Sequence, residues 1–331
     1  MIFWKKSVIF SVISVALGSA IGYALWMQQR PFRMPVSSLV VEEYHRTLDQ
    51  YAFLALRART PQKSEITLQR VLERKPMYTS YLFTYRSNGK QVSGQANIPV
   101  KQGLLPAIVL IRGFVDKEIY RTGLGTYRAA DAFAEHGYIT FAPDFLGYGE
   151  SASESANIFE SRFEKAVSVL DLLESVSTIR QVDGKRIGIW GHSNGGQIAL
   201  SVLEITKYSY PTTLWAPVTL KFPDSILQYI DELPDKGAYL TSQLARLQDR
   251  YDAAWYSVDT YLSDITAPLL LHQGTSDEEV PESWSTAFYE RMRGMNKPIT
   301  YYTYDKENHN FNNGSAPMAL KRDLVFFARY L

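Results

Sequence analysis

Arg186 to Ile205 reads RIGIWGHSNGGQIALSVLEI. RIGIW is a short apolar run of strand type, and QIALSVLEI places its apolar residues at helical spacing. Between them stands Gly191-His192-Ser193-Asn194-Gly195, with Gly196 after it. A strand that turns at once into a helix puts Ser193 at the tip of the turn with its hydroxyl exposed. Gly191 and Gly195 carry no side chain where the chain reverses and helix meets strand. The helix N-terminus adds positive potential beside the hydroxyl. A G-x-S-x-G string alone arises by chance in roughly one chain in ten of this length, so the reading rests on its flanks.

Outward from this turn, strands and helices alternate. Ala107 to Ile111 (AIVLI) is apolar throughout, as expected of a strand buried on both faces. A helix near Thr126–His136, a strand at Tyr138–Ala142 and a helix at Phe159–Val176 come before the Arg186–Trp190 strand. After it come a strand ending at Leu214-Trp215, strands at Pro268–His272 and Ile299–Tyr304, and a final helix at Pro317–Leu331. This alternation predicts an α/β fold: a mostly parallel central sheet with helices on both faces. Tyr81–Tyr85 and Val92–Ile98 flank Ser87-Asn88-Gly89-Lys90 and predict an antiparallel hairpin at the N-terminal edge. Residues 218–262 break the rhythm and are expected to form a helical lid over the carboxyl ends of the strands. In residues 28–75, Val41, Tyr44, Leu48, Tyr51, Leu54 and Leu56 recur at helical spacing, as do Ile66, Leu68, Val71 and Leu72. Two helices are expected there, as a linker or partial cover at residues 31–75, with the catalytic domain over 76–331.

A serine hydroxyl needs a base, and a neutral imidazole serves near pH 7. The chain has five histidines. His45 and His136 precede the serine in surface helical positions, and His192 belongs to the turn itself, where its side chain is expected to point away from the hydroxyl. His272 ends a strand. His309 lies in the loop between the last strand and last helix. For a serine on such a turn the partners follow in the order acid, then histidine, which selects His309. The acid belongs to the loop after the preceding strand, LLLHQGTSDEEVP, and is Asp277. It would accept the Nδ1 hydrogen of His309 and fix its tautomer. Glu278, Asp264 and Asp305 are weaker rivals. An oxyanion needs two donors: the N–H of Asn194, after the nucleophile, and the N–H of Phe114 in the Arg112-Gly113-Phe114 loop.

Together these residues resemble the α/β-hydrolase superfamily from about Tyr78 to Leu331. Within it the chain looks most like the catalytic domains of the prolyl-oligopeptidase type, the S9 serine peptidases, and related acyl esterases. Three stretches carry the finer likeness: SNGKQVSGQANIP before LLPAIVLIRG; Pro143 to Ser151 (PDFLGYGES), similar to D-x-R-G-x-G-x-S; and His272 to Pro281, similar to H-G-x-x-D-x-x-V-P. Leu146 stands where the family loop usually has Arg, Arg112 where His, Tyr or Gly is common, and Asn194 where an aromatic often follows the serine. The resemblance implies cleavage of an ester or short peptide bond through an acyl-Ser193 intermediate, with no metal or organic cofactor. Residues 28–75 are too few for the β-propeller that larger family peptidases use to filter peptides, which keeps esters in view. Two other readings stay open: a catalytically silent binding protein of the same fold, and an acyltransferase to an acceptor other than water.

The composition fits this. Of 331 residues, 46% are hydrophobic and 21% charged, enough apolar material for a full core. Basic and acidic residues balance at 35 and 34 without like-charge blocks, so nothing points to nucleic acid. The absence of cysteine excludes disulfides, thiol catalysis and the usual structural zinc sites. Ser7 to Met27 runs without a charge, between Lys5-Lys6 and Arg30, with Trp4 and Trp26 near its ends. That length predicts a membrane-spanning anchor within residues 1–30; a cleaved signal peptide with Gly18-Ser19-Ala20 as processing site is the rival. The flanking charges do not fix orientation. A signal-like start usually serves export, so an extracytoplasmic catalytic domain is expected.

Overall fold

A computed structural model describes residues 47–331. The apolar run at 7–27, and Val41 and Tyr44 of the first helical pattern, lie outside the described residues. Nine strands form one sheet: β1 (Thr67–Arg74), β2 (Tyr78–Ser87), β3 (Lys90–Pro99), β4 (Leu105–Ile111), β5 (Ile139–Pro143), β6 (Val182–His192), β7 (Thr212–Trp215), β8 (Leu269–Gly274) and β9 (Ile299–Tyr304). Their order across the sheet is β1-β2-β3-β5-β4-β6-β7-β8-β9. From β5 to β9 every pairing is parallel, and β1, β2 and β3 add antiparallel ribbons at one side. This is the α/β-hydrolase architecture expected from the sequence.

The apolar run of β4 shows why the sheet needs cover on both faces. Its side chains alternate, so Val109 and Ile111 enter one buried cluster while Ile108 and Leu110 enter another. Helices α3 (Ile158–Ser175) and α4 (Asn194–Thr206) supply the first cluster, with Val169, Leu172, Leu200 and Leu203. Helices α2 (Tyr127–Glu135) and α7 (Ala316–Tyr330) supply the second, through Phe133 and Phe327, whose rings meet edge to face at 5.4 Å. Residues on β4 that have no polar face thus divide between two cores.

The N-terminal reading needs one correction. Of residues 66–72, expected as a helix, all but Ile66 belong to β1, which pairs antiparallel with β2. β1 is an outer edge strand whose side chains are nearly all exposed, and its register slips twice. With no buried face, no period of two is imprinted on its sequence, and the chance spacing of Leu68, Val71 and Leu72 imitates a helix. Its charged residues Arg70, Glu73 and Arg74 suit an open edge. Among the described residues, the preceding segment is helical only briefly, at α1 (Phe53–Ala58), after a single tight turn at Asp49–Tyr51. It docks on the domain through Arg57, which donates to the carbonyl of Glu204 at 2.9 Å, and Arg59, which clasps both oxygens of Asp171 at 2.7 and 2.9 Å.

Between β7 and β8 lies the helical insertion, with α5 (Asp224–Leu227) and α6 (Ala238–Gln248). Phe222 donates its backbone N–H to Ser257 Oγ at 3.0 Å, joining the two ends of the insertion. Phe222 meets Phe159 and Phe163 edge-on, and Tyr256 stacks on Phe163 at 4.6 Å. The insertion is therefore seated on α3 through aromatic rings.

Candidate active site

Parallel strands end at one edge of the sheet, and loops leaving that edge form the crevice of such folds. Gly113 and Phe114 follow β4, Ser193 follows β6, Asp277 follows β8 and His309 follows β9.

Ser193 sits between β6 and α4 at φ 55° and ψ −125°, a conformation side chains rarely adopt. Its N–H donates to the carbonyl of Trp215 at 2.9 Å, and its carbonyl accepts from Val218 at 3.1 Å. The glycines are required by space. A Cβ at Gly191 would stand 2.8 Å from the carbonyl oxygen of Gly195, and one at Gly195 would stand 2.0 Å from that of Ile111. Gly113 passes so close that its Cβ would lie 2.9 Å from Ser193 Cβ. The loop carrying the Phe114 N–H thus runs directly against the serine, while the Phe114 ring is exposed. The Asn194 N–H belongs to the first turn of α4, where no intrahelical acceptor exists.

Asp277 and His309 are brought together. His309 Nδ1 donates to Asp277 Oδ2 at 2.9 Å, with Oδ1 at 3.1 Å. The carboxylate is buried and saturated: Oδ1 accepts from the N–H groups of Glu279 and Val280 at 3.0 and 2.8 Å, and Oδ2 from Gln273 Nε2 at 2.9 Å. The bond from Nδ1 holds the imidazole with Nε2 turned away from the carboxylate. His309 Nε2 faces Glu279 Oε2 at 3.5 Å, and Ser193 Oγ has no hydrogen-bond partner among the described residues. Bonds of this kind are often loose without substrate and tighten when it binds.

The rivals are placed elsewhere. Glu278 and Asp305 are exposed, and Asp264 is paired with Arg57 and Lys207. His272 is buried between Tyr304 Oη at 2.7 Å and Asp323 at 2.9 Å, a second His–Asp pair inside the second cluster that also receives Trp215 Nε1. His136 is exposed on α2, and His45 lies outside the described residues.

Two residues have roles that the sequence reading missed. His192 does not simply point away: its ring lies 4.7 Å from that of His309, and its Nε2–H donates to the His309 carbonyl at 3.0 Å. Burial, and then the neighbouring His309, push the His192 imidazole down to about 3, so it stays neutral. Gln273 donates to Asp277 and accepts from Ser285 Oγ at 2.7 Å. Its signal was available, since a polar amide in the apolar strand LLLHQG needs a buried partner.

Reaching Asn194, the residue after the serine, a cavity of about 40 Å³ is lined by Asn194, Gln197 and Ile198 of α4, Arg162 and Phe163 of α3, Phe222 and Tyr256 of the insertion, and Tyr51 and Phe53 of the N-terminal segment. Two of the insertion's residues thus line it, with Arg162 and Gln197 among its polar members.

The profile of the prolyl oligopeptidase family matches residues 126–331, more than half of the chain. An uncharacterized peptidase YtmA of Bacillus subtilis is 26% identical over 238 residues, covering 70% of this chain and 86% of its own length. Dipeptidyl aminopeptidase BIII of Pseudoxanthomonas mexicana is 27% identical over 243 residues, 70% of this chain but only 33% of that protein. Among solved structures, an acetyl xylan esterase from Paenibacillus sp. R4 superposes with a TM-score of 0.62 at 18% identity, covering 90% of this chain and all of the other, a likeness of fold. With its sheet order, its elbow and this match over more than half of its length, the chain belongs to the prolyl oligopeptidase family of α/β-hydrolases.

Proposed function

We propose that the protein is a serine hydrolase that cleaves an ester or a short peptide bond through an acyl-Ser193 intermediate. The observation that carries this reading is the 2.9 Å bond from His309 Nδ1 to the buried Asp277 carboxylate, at the strand edge where Ser193 is held in its strained turn. Ser193 Oγ attacks the carbonyl carbon and passes its proton to His309 Nε2, which then protonates the leaving group. Asp277 stabilises the imidazolium. The N–H groups of Phe114 and Asn194 hold the oxyanion. Water, activated by His309, releases the acid. The family membership and the relatives described as peptidases support hydrolysis, and the fold likeness to an esterase keeps esters beside peptides as substrates.

Steady-state turnover of a p-nitrophenyl ester panel and a dipeptide p-nitroanilide panel tests the reading. Ser193→Ala and His309→Ala are each expected to lower kcat by about 10⁴-fold or more with unchanged thermal unfolding. Near-normal turnover in a folded His309→Ala protein would remove His309 from the mechanism. The apolar run at 7–27 is read as an anchor that holds this domain on the extracytoplasmic face. Full-length protein should then resist alkaline carbonate extraction from membranes, and release into the soluble fraction would contradict it.

A further inference from the structure

Helix α3 distributes its charges unevenly. Glu160 accepts from Tyr51 Oη at 3.0 Å, Glu164 is paired with Lys90 at 2.5 Å, and Asp171 is clasped by Arg59. Three of its four acids are thus engaged. Its two bases in the same stretch are not: neither Arg162 nor Lys165 meets a carboxylate among the described residues. Arg162 is partly buried and lines the cavity next to Asn194. Of its five N–H donors, one reaches an acceptor among the described residues, the amide oxygen of Gln197. Gln197 is itself aimed by donating Nε2–H to the carbonyl of Leu220 at 2.9 Å, so its oxygen is presented to the guanidinium. Burial lowers Arg162 to about 10, and burial together with Arg162 and Arg112 lowers Lys165 to about 8. No carboxylate among the described residues answers the Arg162 charge, and the other walls of the cavity it lines are largely aromatic and aliphatic.

We propose that Arg162 binds a carboxylate on the acyl part of the substrate, so that the preferred substrates are monoesters or amides of short dicarboxylic acids. The proposal rests on the serine hydrolase reading and names its substrate class. The cavity is walled on four sides, by α3, α4, the insertion and the N-terminal segment, which fits the part of the substrate retained on Ser193 rather than the part that departs. Its volume of about 40 Å³ has room for about three water-sized groups before side chains shift, which limits the chain to a few carbons. A planar guanidinium fork with free donors matches a carboxylate in two-point fashion.

The test uses the full-length protein and two esters of equal length, p-nitrophenyl hydrogen glutarate and p-nitrophenyl pentanoate. The wild type should favour the charged ester in kcat/KM. Arg162→Met should lose about 10–100-fold on the charged ester and stay within about threefold on the neutral one. Arg162→Lys should keep part of the preference. A wild type that favours the neutral ester, or an Arg162→Met protein that loses both alike, overturns the proposal. Calorimetric titration of Ser193→Ala protein with glutarate separates the two claims. Binding that vanishes on adding Arg162→Met supports the carboxylate site whatever the turnover, and binding that is absent or indifferent to Arg162 refutes it. Failure of wild-type protein to turn over either ester strikes the hydrolase reading alone, because the titration still decides the site.

Discussion

At φ 55° and ψ −125°, Ser193 holds a backbone conformation that costs of the order of 1–3 kcal/mol, and its surroundings compel it. Bonds to Trp215 and Val218 grip its two peptide groups, and Gly113, Gly191 and Gly195 leave the room the turn requires. Similar precision reaches the candidate base through a residue outside the triad. His192 hydrogen-bonds the His309 carbonyl, so the peptide behind the imidazole is fixed as well as its Nδ1. His192→Phe keeps a ring in place and removes the donor. Turnover is expected to fall about tenfold, with KM little changed and without a new pH dependence above about pH 4, since the native imidazole is already neutral there. Wild-type kcat in that variant would deny His192 a positioning role. Ser193, Asp277 and His309 were legible in the sequence because each follows an identifiable strand and the histidines are few. His192 was not, because its role exists only in a contact with a loop far along the chain, whereas Gln273 left a signal, a polar amide in an apolar strand, that was passed over.

Among the elements, α3 and α4 carry most of the load between the sheet and the segments that cover it. Asp171 of α3 accepts both Arg59 nitrogens, the N–H of Gln62 at 2.6 Å and Ser87 Oγ at 2.8 Å, tying the N-terminal segment and the β2–β3 hairpin to one buried carboxylate. Asp171→Ala strands these donors and should cost about 3–5 kcal/mol in urea denaturation; a loss under about 1 kcal/mol would contradict the account. Glu204 of α4 is the opposite case, a buried carboxyl whose two oxygens lack a hydrogen-bond partner. Burial raises its pKa well above the usual 4.5, so the folded chain keeps a proton that the unfolded chain releases. That contribution to stability is complete below about pH 4.5 and is lost as pH rises toward the folded value. Glu204→Gln cannot ionise. Its stability relative to wild type should therefore improve with rising pH, by at most about 1.4 kcal/mol per pH unit. A difference in thermal stability that stays constant from pH 5 to pH 8 would argue that Glu204 does not hold its proton. The sequence made α3, α4 and the buried strands readable, since each has a face or run with no polar alternative. β1 was not readable, because an exposed edge strand is held by backbone pairing to β2 and leaves no hydrophobic period behind.

For the whole molecule, the parallel strands β4 to β9 bring loops separated by nearly two hundred residues to one edge, and every candidate catalytic group lies there. The insertion and the N-terminal segment close the space beside that edge, and they leave Arg162 inside it. Because this chain spans 33% of dipeptidyl aminopeptidase BIII, that protein's activity does not transfer to it. Among the described residues no helix is long and apolar enough to cross a membrane, so the anchor reading concerns the run at 7–27 alone. The central claim is an activated serine at position 193. It is tested most directly by treating the full-length protein with a fluorophosphonate and locating the adduct by peptide mass spectrometry. The account predicts one adduct, on Ser193, strongly slowed in His309→Ala protein; a folded wild type that stays unlabelled, or carries the adduct at another serine, would contradict it.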